Sequence, residues 1–433
     1  MPRIQDHLPK LSWIAADRLL LIGYGLVALL QIRALPPAEY GLYALLVSIQ
    51  TWVFVLADGL VLQGIVQFGA DRNERPVLDG TVAVLYVVAI AVVVGGVVFA
   101  EPWLTALLGE PRFAGVVALE AVFCAVTVPR TFCLRLLQRD VQTRQMFWID
   151  AVWIGSMSIA TVHGIATGWL RHFASLAAIA IGGIALSSVA ALWVCRGMIR
   201  LAIPSVPMAR RLLGFGMQQM SASAIHTSVR QLDVVLAQAF FGTAVVGTYQ
   251  AAKTIFRLFE VGADAASSVL YPAAVAYYHK GDRTSLHALA SKAISVLSVA
   301  YVAAAVLVWL GGDLVGAVLG HRYAAAVGML RVLALAGIAM PLAQAGIVLI
   351  ASGRSGVHAA VALVAATAAT VCFVVSGSFG APSFFPFGVI AYYAILGTGD
   401  WWALRRFGIV RLGVRDFFRS IPDALSFVRG RSK

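Results

Sequence analysis

The sequence is short of charge. Asp, Glu, Lys and Arg make up 12% of its 433 residues, where soluble domains carry about 25%. No hydrophilic stretch is long enough for a soluble catalytic domain. That excludes an ATP-driven pump with its own nucleotide domain and a glycosyltransferase with a cytosolic head. There is no Gly-x-x-x-x-Gly-Lys-Ser/Thr run to cradle phosphates on backbone amides, and no His-Glu-x-x-His pair to hold zinc. Gly214-Phe215-Gly216 lacks the third glycine of a dinucleotide loop, and the 8 histidines are scattered, so no cofactor or metal is expected and no enzyme signature is found. The 4 cysteines all fall in apolar segments without Cys-x-x-Cys spacing, which marks them as small core residues. No signal peptide is read at the N-terminus, because Asp17 and Arg18 interrupt its apolar run.

What the sequence has in excess is apolar surface. Hydrophobic residues make up 60% of it and the mean hydropathy is +0.86. No water-soluble core hides that much, so the chain is an integral membrane protein. A spanning helix needs about 20 apolar residues. Segments of that kind occur at 13–34, 40–66, 79–100, 113–137, 146–166 and 173–195, then at 212–240, 244–271, 285–310, 326–351, 357–376 and 384–403. Lys and Arg outnumber Asp and Glu by 33 to 20. In a soluble protein that excess would point to nucleic acid; here it sits in loops, and no nucleic-acid partner is expected. With the N-terminus inside, the cytoplasmic loops and tails hold 23 Lys and Arg, and the opposite loops hold 4 (Arg33, Arg112, Arg171 and Arg322). That is a strong positive-inside signal placing both termini in the cytoplasm. The tail after Arg405 alternates basic and apolar residues, which suits either a helix lying against anionic membrane lipid or a plain basic tail.

The chain also repeats itself. Gly41-Leu42-Tyr43 recurs as Gly247-Thr248-Tyr249, and Ala57-Asp58 as Ala263-Asp264, both shifted by 206. Asp71-Arg72 then matches Asp282-Arg283, Leu108-Gly109 matches Leu319-Gly320, and Pro129 answers Pro341. A repeat of six spans keeps its orientation. The expected fold is therefore an all-α polytopic membrane protein of about twelve transmembrane helices, in two parallel six-helix repeats around a central cavity. The lobes run over 1–195 and 212–404, joined by a basic cytoplasmic linker at 196–211 and followed by the basic tail at 405–433.

An ionisable residue inside a span costs roughly 2.5–3.5 kcal/mol on insertion scales. The eighth span concentrates them: Tyr249, Lys253, Arg257, Glu260, Asp264, Ser267 and Tyr271 fall within about 80° of one another at helical pitch. The seventh aligns Gln219, Ser223, His226, Arg230 and Asp233 in a similar sector. Gly242-Thr243 leaves only a tight turn between the two, so their stripes can face one lumen. Either these groups bind substrate in a wet cavity, or Arg257–Glu260 and Arg230–Asp233 neutralise each other at i,i+3 spacing. The second span keeps Tyr43, Gln50, Thr51 and Asp58 on one face; the fourth holds Glu120 and Arg130, and the tenth Arg331. Arg130, next to Pro129, can reach carbonyls freed by a kink. The lone His163 and His358 read as structural.

Gln231-Leu232-Asp233, Phe241-Gly242-Thr243, Val246-Gly247-Thr248-Tyr249-Gln250-Ala251-Ala252 and Leu270-Tyr271-Pro272 together resemble the Wzx-type oligosaccharide flippases. These form the polysaccharide-transporter branch of the multidrug/oligosaccharidyl-lipid/polysaccharide superfamily. Leu35-Pro36-Pro37-Ala38-Glu39-Tyr40-Gly41-Leu42-Tyr43 looks like that family's first hairpin. The resemblance implies export of an undecaprenyl-diphosphate-linked oligosaccharide from the cytoplasmic to the periplasmic leaflet, for O-antigen, capsule or exopolysaccharide. It also implies a bacterial inner-membrane location and polymerase or assembly proteins as partners. Arg230, Lys253, Arg257, Arg130 and Arg331 would then suit the diphosphate. One departure is that acidic residues in the spans nearly balance the basic ones. The rival readings are a cation-coupled multidrug exporter of the same superfamily and an intramembrane sugar polymerase; the polymerase lacks the large outer loop its acceptor needs.

The loop charges give a direct test. Reporter fusions after Arg196 and after Lys433 should read cytoplasmic, and a fusion near Arg322 periplasmic. A periplasmic C-terminus would overturn the twelve-span arrangement.

Overall fold

The computed structural model describes residues 8–410 and residue 422. Most of the tail expected at 405–433 lies outside the described residues, as do the side chains of Ser223 and His226. Twelve long helices follow one another: α1 (Leu8–Ala34), α2 (Pro37–Phe68), α3 (Arg75–Leu108), α4 (Phe113–Arg139), α5 (Thr143–Ala166), α6 (Phe173–Cys195), α7 (Val206–Phe241), α8 (Thr243–His279), α9 (Arg283–Leu310), α10 (His321–Ala351), α11 (Ser355–Ser378) and α12 (Phe387–Arg406). Each expected span falls on one of them. A short helix at Gly312–Leu319 precedes α10, and no strand occurs among the described residues. By length and apolarity 8 of the helices qualify as membrane spans. The chain is an all-α polytopic membrane protein.

The ends of the helices follow ordinary rules. Pro37 opens α2 at the position where a missing N–H costs nothing. Asp282 caps α9 by accepting from the Ser285 amide at 2.9 Å. Gly242, at φ +79°, makes the one-residue turn from α7 to α8. Two helices are broken internally: α2 by a π-helical turn at Asp58–Leu62, and α10 by a 3-10 turn at Met340–Ala343 that contains Pro341. Pro129, the expected counterpart of Pro341, sits inside an uninterrupted α4.

The chain divides into two compact units, Met1–Gly247 and Thr248–Lys433. In the first, α1 packs on α5, α4 and α5 pack on α6, and α2 lies between α4 and α7. Thus α7, which the sequence repeat assigns to the second half, packs against α2 and α3 in the first unit. In the second, α12 gathers α10 and α11, and α10 also packs on α9. With lipid tails as apolar as leucine, such contacts rely on small residues that let backbones approach. A Cβ on Gly216 would sit 1.7 Å from the Leu60 carbonyl oxygen, and one on Gly59 would sit 2.8 Å from the Met220 Cα. At the other end of α2 the contact is reciprocal. A Cβ on Gly41 would meet the Thr243 carbonyl oxygen at 1.9 Å, and one on Gly247 would meet that of Pro37 at 1.9 Å. Gly41 and Gly247 are the two glycines related by the sequence repeat.

Charge closes the opposite end of the first unit. Arg139 and Asp79 form a 2.7 Å ion pair with both side chains nearly buried. Arg75 pairs with Asp140 at 3.2 Å and donates to the Gly69 carbonyl at 2.8 Å. The linker before α7 is tied down there, with Ala202 N–H on the Pro76 carbonyl and Ser205 N–H on the Thr81 hydroxyl.

The crossing of α2 with the turn into α8 leaves no room for a side chain. Gly41→Val and Gly247→Val should each destabilise the protein by about 1–3 kcal/mol or more. Gly95→Val, in open space, should be neutral. Thermal midpoints of the purified variants check this.

Candidate functional site

In the first unit most of the polar residues of the spans described below find partners on other helices. Arg130, on α4, is buried. Its Nη2 pairs with Asp150 of α5, its Nε donates to the Ser187 hydroxyl of α6 at 3.0 Å, and its Cζ lies 4.8 Å from the centre of the Trp153 ring. The carbonyls next to Pro129, expected as its partners, are not among these contacts. Asp58 sits at the start of the π-helical turn, where the extra residue displaces it from regular helical register. It accepts from the Tyr86 hydroxyl at 2.9 Å and faces Arg135 at 3.6 Å, while Tyr86 also bonds Thr131. Arg135 lies near the end of α4. Glu120 is buried and accepts from Cys124 Sγ. Of the α7 stripe, Asp233 is buried and Arg230 half-buried, and both have partners. Ser48 of α2 donates to Gln231 at 3.0 Å.

The turn into α8 carries a second polar group in this unit. Glu110 accepts from Thr243 at 3.2 Å, and Arg112 bridges Glu110 and Glu39. Partial burial works to raise the Glu110 carboxyl, but hydrogen bonds and charge from Arg112 hold it below the ordinary carboxylate range. This end therefore stays ionised at neutral pH.

In the second unit the α8 stripe divides lengthwise. Its inner edge is buried: Tyr249 packs edge-on against Phe385, Lys253 Nζ lies 5.7 Å from the centre of the Tyr249 ring, and Glu260 accepts from Tyr393 at 3.4 Å. Ser267 donates to Gln344 at 2.9 Å, and Gln344 donates to the Ala263 carbonyl at 3.4 Å. The outer edge, with Arg257, Asp264 and Tyr271, is exposed. Arg257 forms no ion pair among the described residues, so the expected i,i+3 link to Glu260 is not made. Arg331 stands apart from the stripe. Its Nη2 reaches the Trp309 carbonyl at 3.4 Å while Trp309 Nε1 donates back to its carbonyl at 3.1 Å, so it caps the end of α9.

Sequence reasoning missed Asp150, Tyr86 and Asp400. Each lies 20 to 42 residues from its partner, beyond any same-helix spacing rule; an acidic residue inside an apolar run was the one available signal. Among the described residues no group of His, Cys, Asp and Glu is arranged to hold a metal ion. The arrangement on α8 is an exposed arginine, Arg257, beside the buried polar groups Lys253 and Glu260.

A family model described as "Polysaccharide biosynthesis protein" matches residues 31–328. No curated protein matches the chain significantly. Among solved structures the chain is similar to a multidrug resistance MATE family transporter of the MOP superfamily in an inward-facing conformation (TM-score 0.70, 13% identity, 94% of this chain and 96% of that one). It is similar to the lipid II flippase MurJ in an inward closed conformation (TM-score 0.68, 13% identity, 96% and 93%). It is also similar to the Vibrio cholerae MATE transporter VcmN in its bent form (TM-score 0.56, 16% identity, 93% and 96%). At these identities the likeness establishes a shared fold.

The Arg130 cluster separates a structural from an open charge. Arg130→Ala leaves Asp150 without its cation inside the helix bundle and should cost about 3–5 kcal/mol. Arg130→Leu combined with Asp150→Leu should recover most of it. Membrane abundance and thermal midpoints of the single and double variants check this.

Proposed function

The chain belongs to the polysaccharide biosynthesis protein family, and on that premise we propose that it is a flippase that exports an undecaprenyl-diphosphate-linked oligosaccharide by alternating access. The cargo passes from the cytoplasmic to the periplasmic leaflet of a bacterial inner membrane, for O-antigen, capsule or exopolysaccharide assembly. Both termini are cytoplasmic in this reading, and the partners are membrane lipids and polymerase or assembly proteins. The observation that carries it is the lengthwise division of α8, inside the family match, into a buried edge and an edge that leaves Arg257 exposed.

A helix whose only need is to neutralise its charges turns all of them inward. Here Lys253 and Glu260 are buried and Arg257 is not. A diphosphate that loses bulk water gains charge-assisted bonds, and the planar guanidinium grips two of its oxygens at once. On the same helix Lys253 adds a second cation to the headgroup site, with Tyr249, Glu260 and Asp264 offering hydrogen bonds to sugar hydroxyls. Arg130, Asp58 and Arg331 serve the packing of their own helices. The alternative, a cation-coupled multidrug exporter, draws support from the fold likeness to MATE transporters. It requires an acidic residue, not an arginine, to be indispensable.

Arg257→Ala should reduce export about tenfold or more, the loss of a charge-assisted hydrogen bond of about 1.5–3 kcal/mol, at near-normal membrane abundance. Arg257→Lys should recover part, since it keeps the charge and loses the fork. Surface glycan and accumulated lipid-linked oligosaccharide are the readouts. Normal export from a well-expressed variant carrying Lys253→Ala and Arg257→Ala would overturn the site.

A further inference from the structure

The second unit contains an ionisable pair that the proposed headgroup site does not use. Asp400, on α12, is completely buried. Its Oδ2 lies 2.9 Å from Nδ1 of His358 in the first turn of α11, and its Oδ1 has no hydrogen-bond partner among the described residues. The His358 side chain is 26% exposed, so the pair is sealed on the carboxylate side and open on the imidazole side. We infer that His358 and Asp400 form a proton-binding site that holds one proton between them and exchanges it through the open edge of His358.

The proton count follows from the geometry. With one proton bound the pair is neutral, either as imidazolium and carboxylate or as imidazole and carboxylic acid. Releasing that proton to water leaves a bare carboxylate in a place with no water and one unpartnered oxygen, which is strongly unfavourable. Adding a second leaves an imidazolium beside a neutral acid. The two groups therefore titrate as a unit.

Among the described residues no second cation pairs with Asp400. The α10 segment against the pair, Gln344–Ala351, has no ionisable side chain. Just before α11, Arg354 is held over the Phe407 ring at 3.9 Å, and on α12, Arg405 over the Trp401 ring at 5.0 Å. Arg406 ends α12, α9 brings His287 and Lys292, and the end of α8 brings Tyr277 and Tyr278. None of these forms an ion pair with Asp400 among the described residues.

The site is also placed to move something. A Cβ on Gly346 would lie 2.5 Å from Asp400 Oδ2 and 2.6 Å from His358 Nδ1, so this glycine makes the room for the pair. One turn earlier on α12, Gly397 packs against Leu342 and Ala343, in the 3-10 turn that breaks α10. A change of charge at Asp400 thus acts beside the interruption of α10. The loop charges put this end of the helices on the cytoplasmic side, so the proton exchanges there.

Nuclear magnetic resonance of the full chain in lipid nanodiscs, with 15N-labelled histidine, tests the site independently of any transport assay. The His358 signal, identified by its loss in His358→Gln, should respond to pH. Its midpoint should move by about one pH unit or more in Asp400→Asn, as expected when an opposite charge within contact is removed. Gly346→Ala, which crowds the pair without altering either group, should move it as well. A His358 signal that does not titrate, or has the same midpoint in both variants, would overturn the inference. Coupling to transport rests on the flippase reading: export by Asp400→Asn at normal abundance should lose the sensitivity to a protonophore that the wild type shows. Equal sensitivity would overturn the coupling while the titration still decides the site.

Discussion

Inside a bilayer a charge has no solvent to fall back on, and that constraint organises both units of this chain. Every span carrying an ionisable group must find it a partner on another helix or open it to a cavity. The first unit takes the former course. Arg130 draws α4, α5 and α6 together through Asp150, Ser187 and Trp153, and Asp58 draws α2, α3 and α4 together through Tyr86 and Arg135. Such pairs add little net stability, because desolvation offsets their attraction. They do fix which helix faces which, since breaking one strands its partner.

Small residues do the rest. Without a hydrophobic drive between helices, close backbone approach supplies the packing, and α2 reaches it through glycines at both ends, against the start of α8 at one and α7 at the other. Their distribution is not uniform. Gly41 and Gly247 meet each other's helix starts reciprocally, while Gly95 and Gly96 on the exposed middle of α3 touch nothing.

How much of this was legible beforehand depends on the range of each interaction. Helices were readable because an apolar run of twenty residues is a local property, and all twelve segments fell on helices. The reciprocal glycines were visible in the Gly-x-Tyr repeat, though not as a crossing. The polar partners were not readable, because same-helix spacing sees only i,i+3 and i,i+4 neighbours. It paired Arg257 with Glu260, where Glu260 turns to Tyr393, 133 residues away. It left His358 alone, where Asp400 completes it from 42 residues away. The π-helical turn at Asp58 was equally hidden, because nothing in the composition of Asp58–Leu62 marks a wider turn.

The near balance of acid and base along α8 then bears on how the proposed cargo would be recognised. A lumen of strong positive potential would attract any anion, lipid headgroups included. The exposed edge of α8 carries one arginine and one aspartate instead, Arg257 and Asp264. Seven residues of helix separate them by about 10 Å. With a diphosphate held by Arg257, sugar rings extending along the helix would meet a carboxylate able to accept from their hydroxyls. An amphoteric edge of this kind gives up long-range attraction and keeps geometric selection. Under the proposed function it would favour a ligand with an anionic head and a neutral, hydroxyl-rich body over a simple anion or a cationic drug.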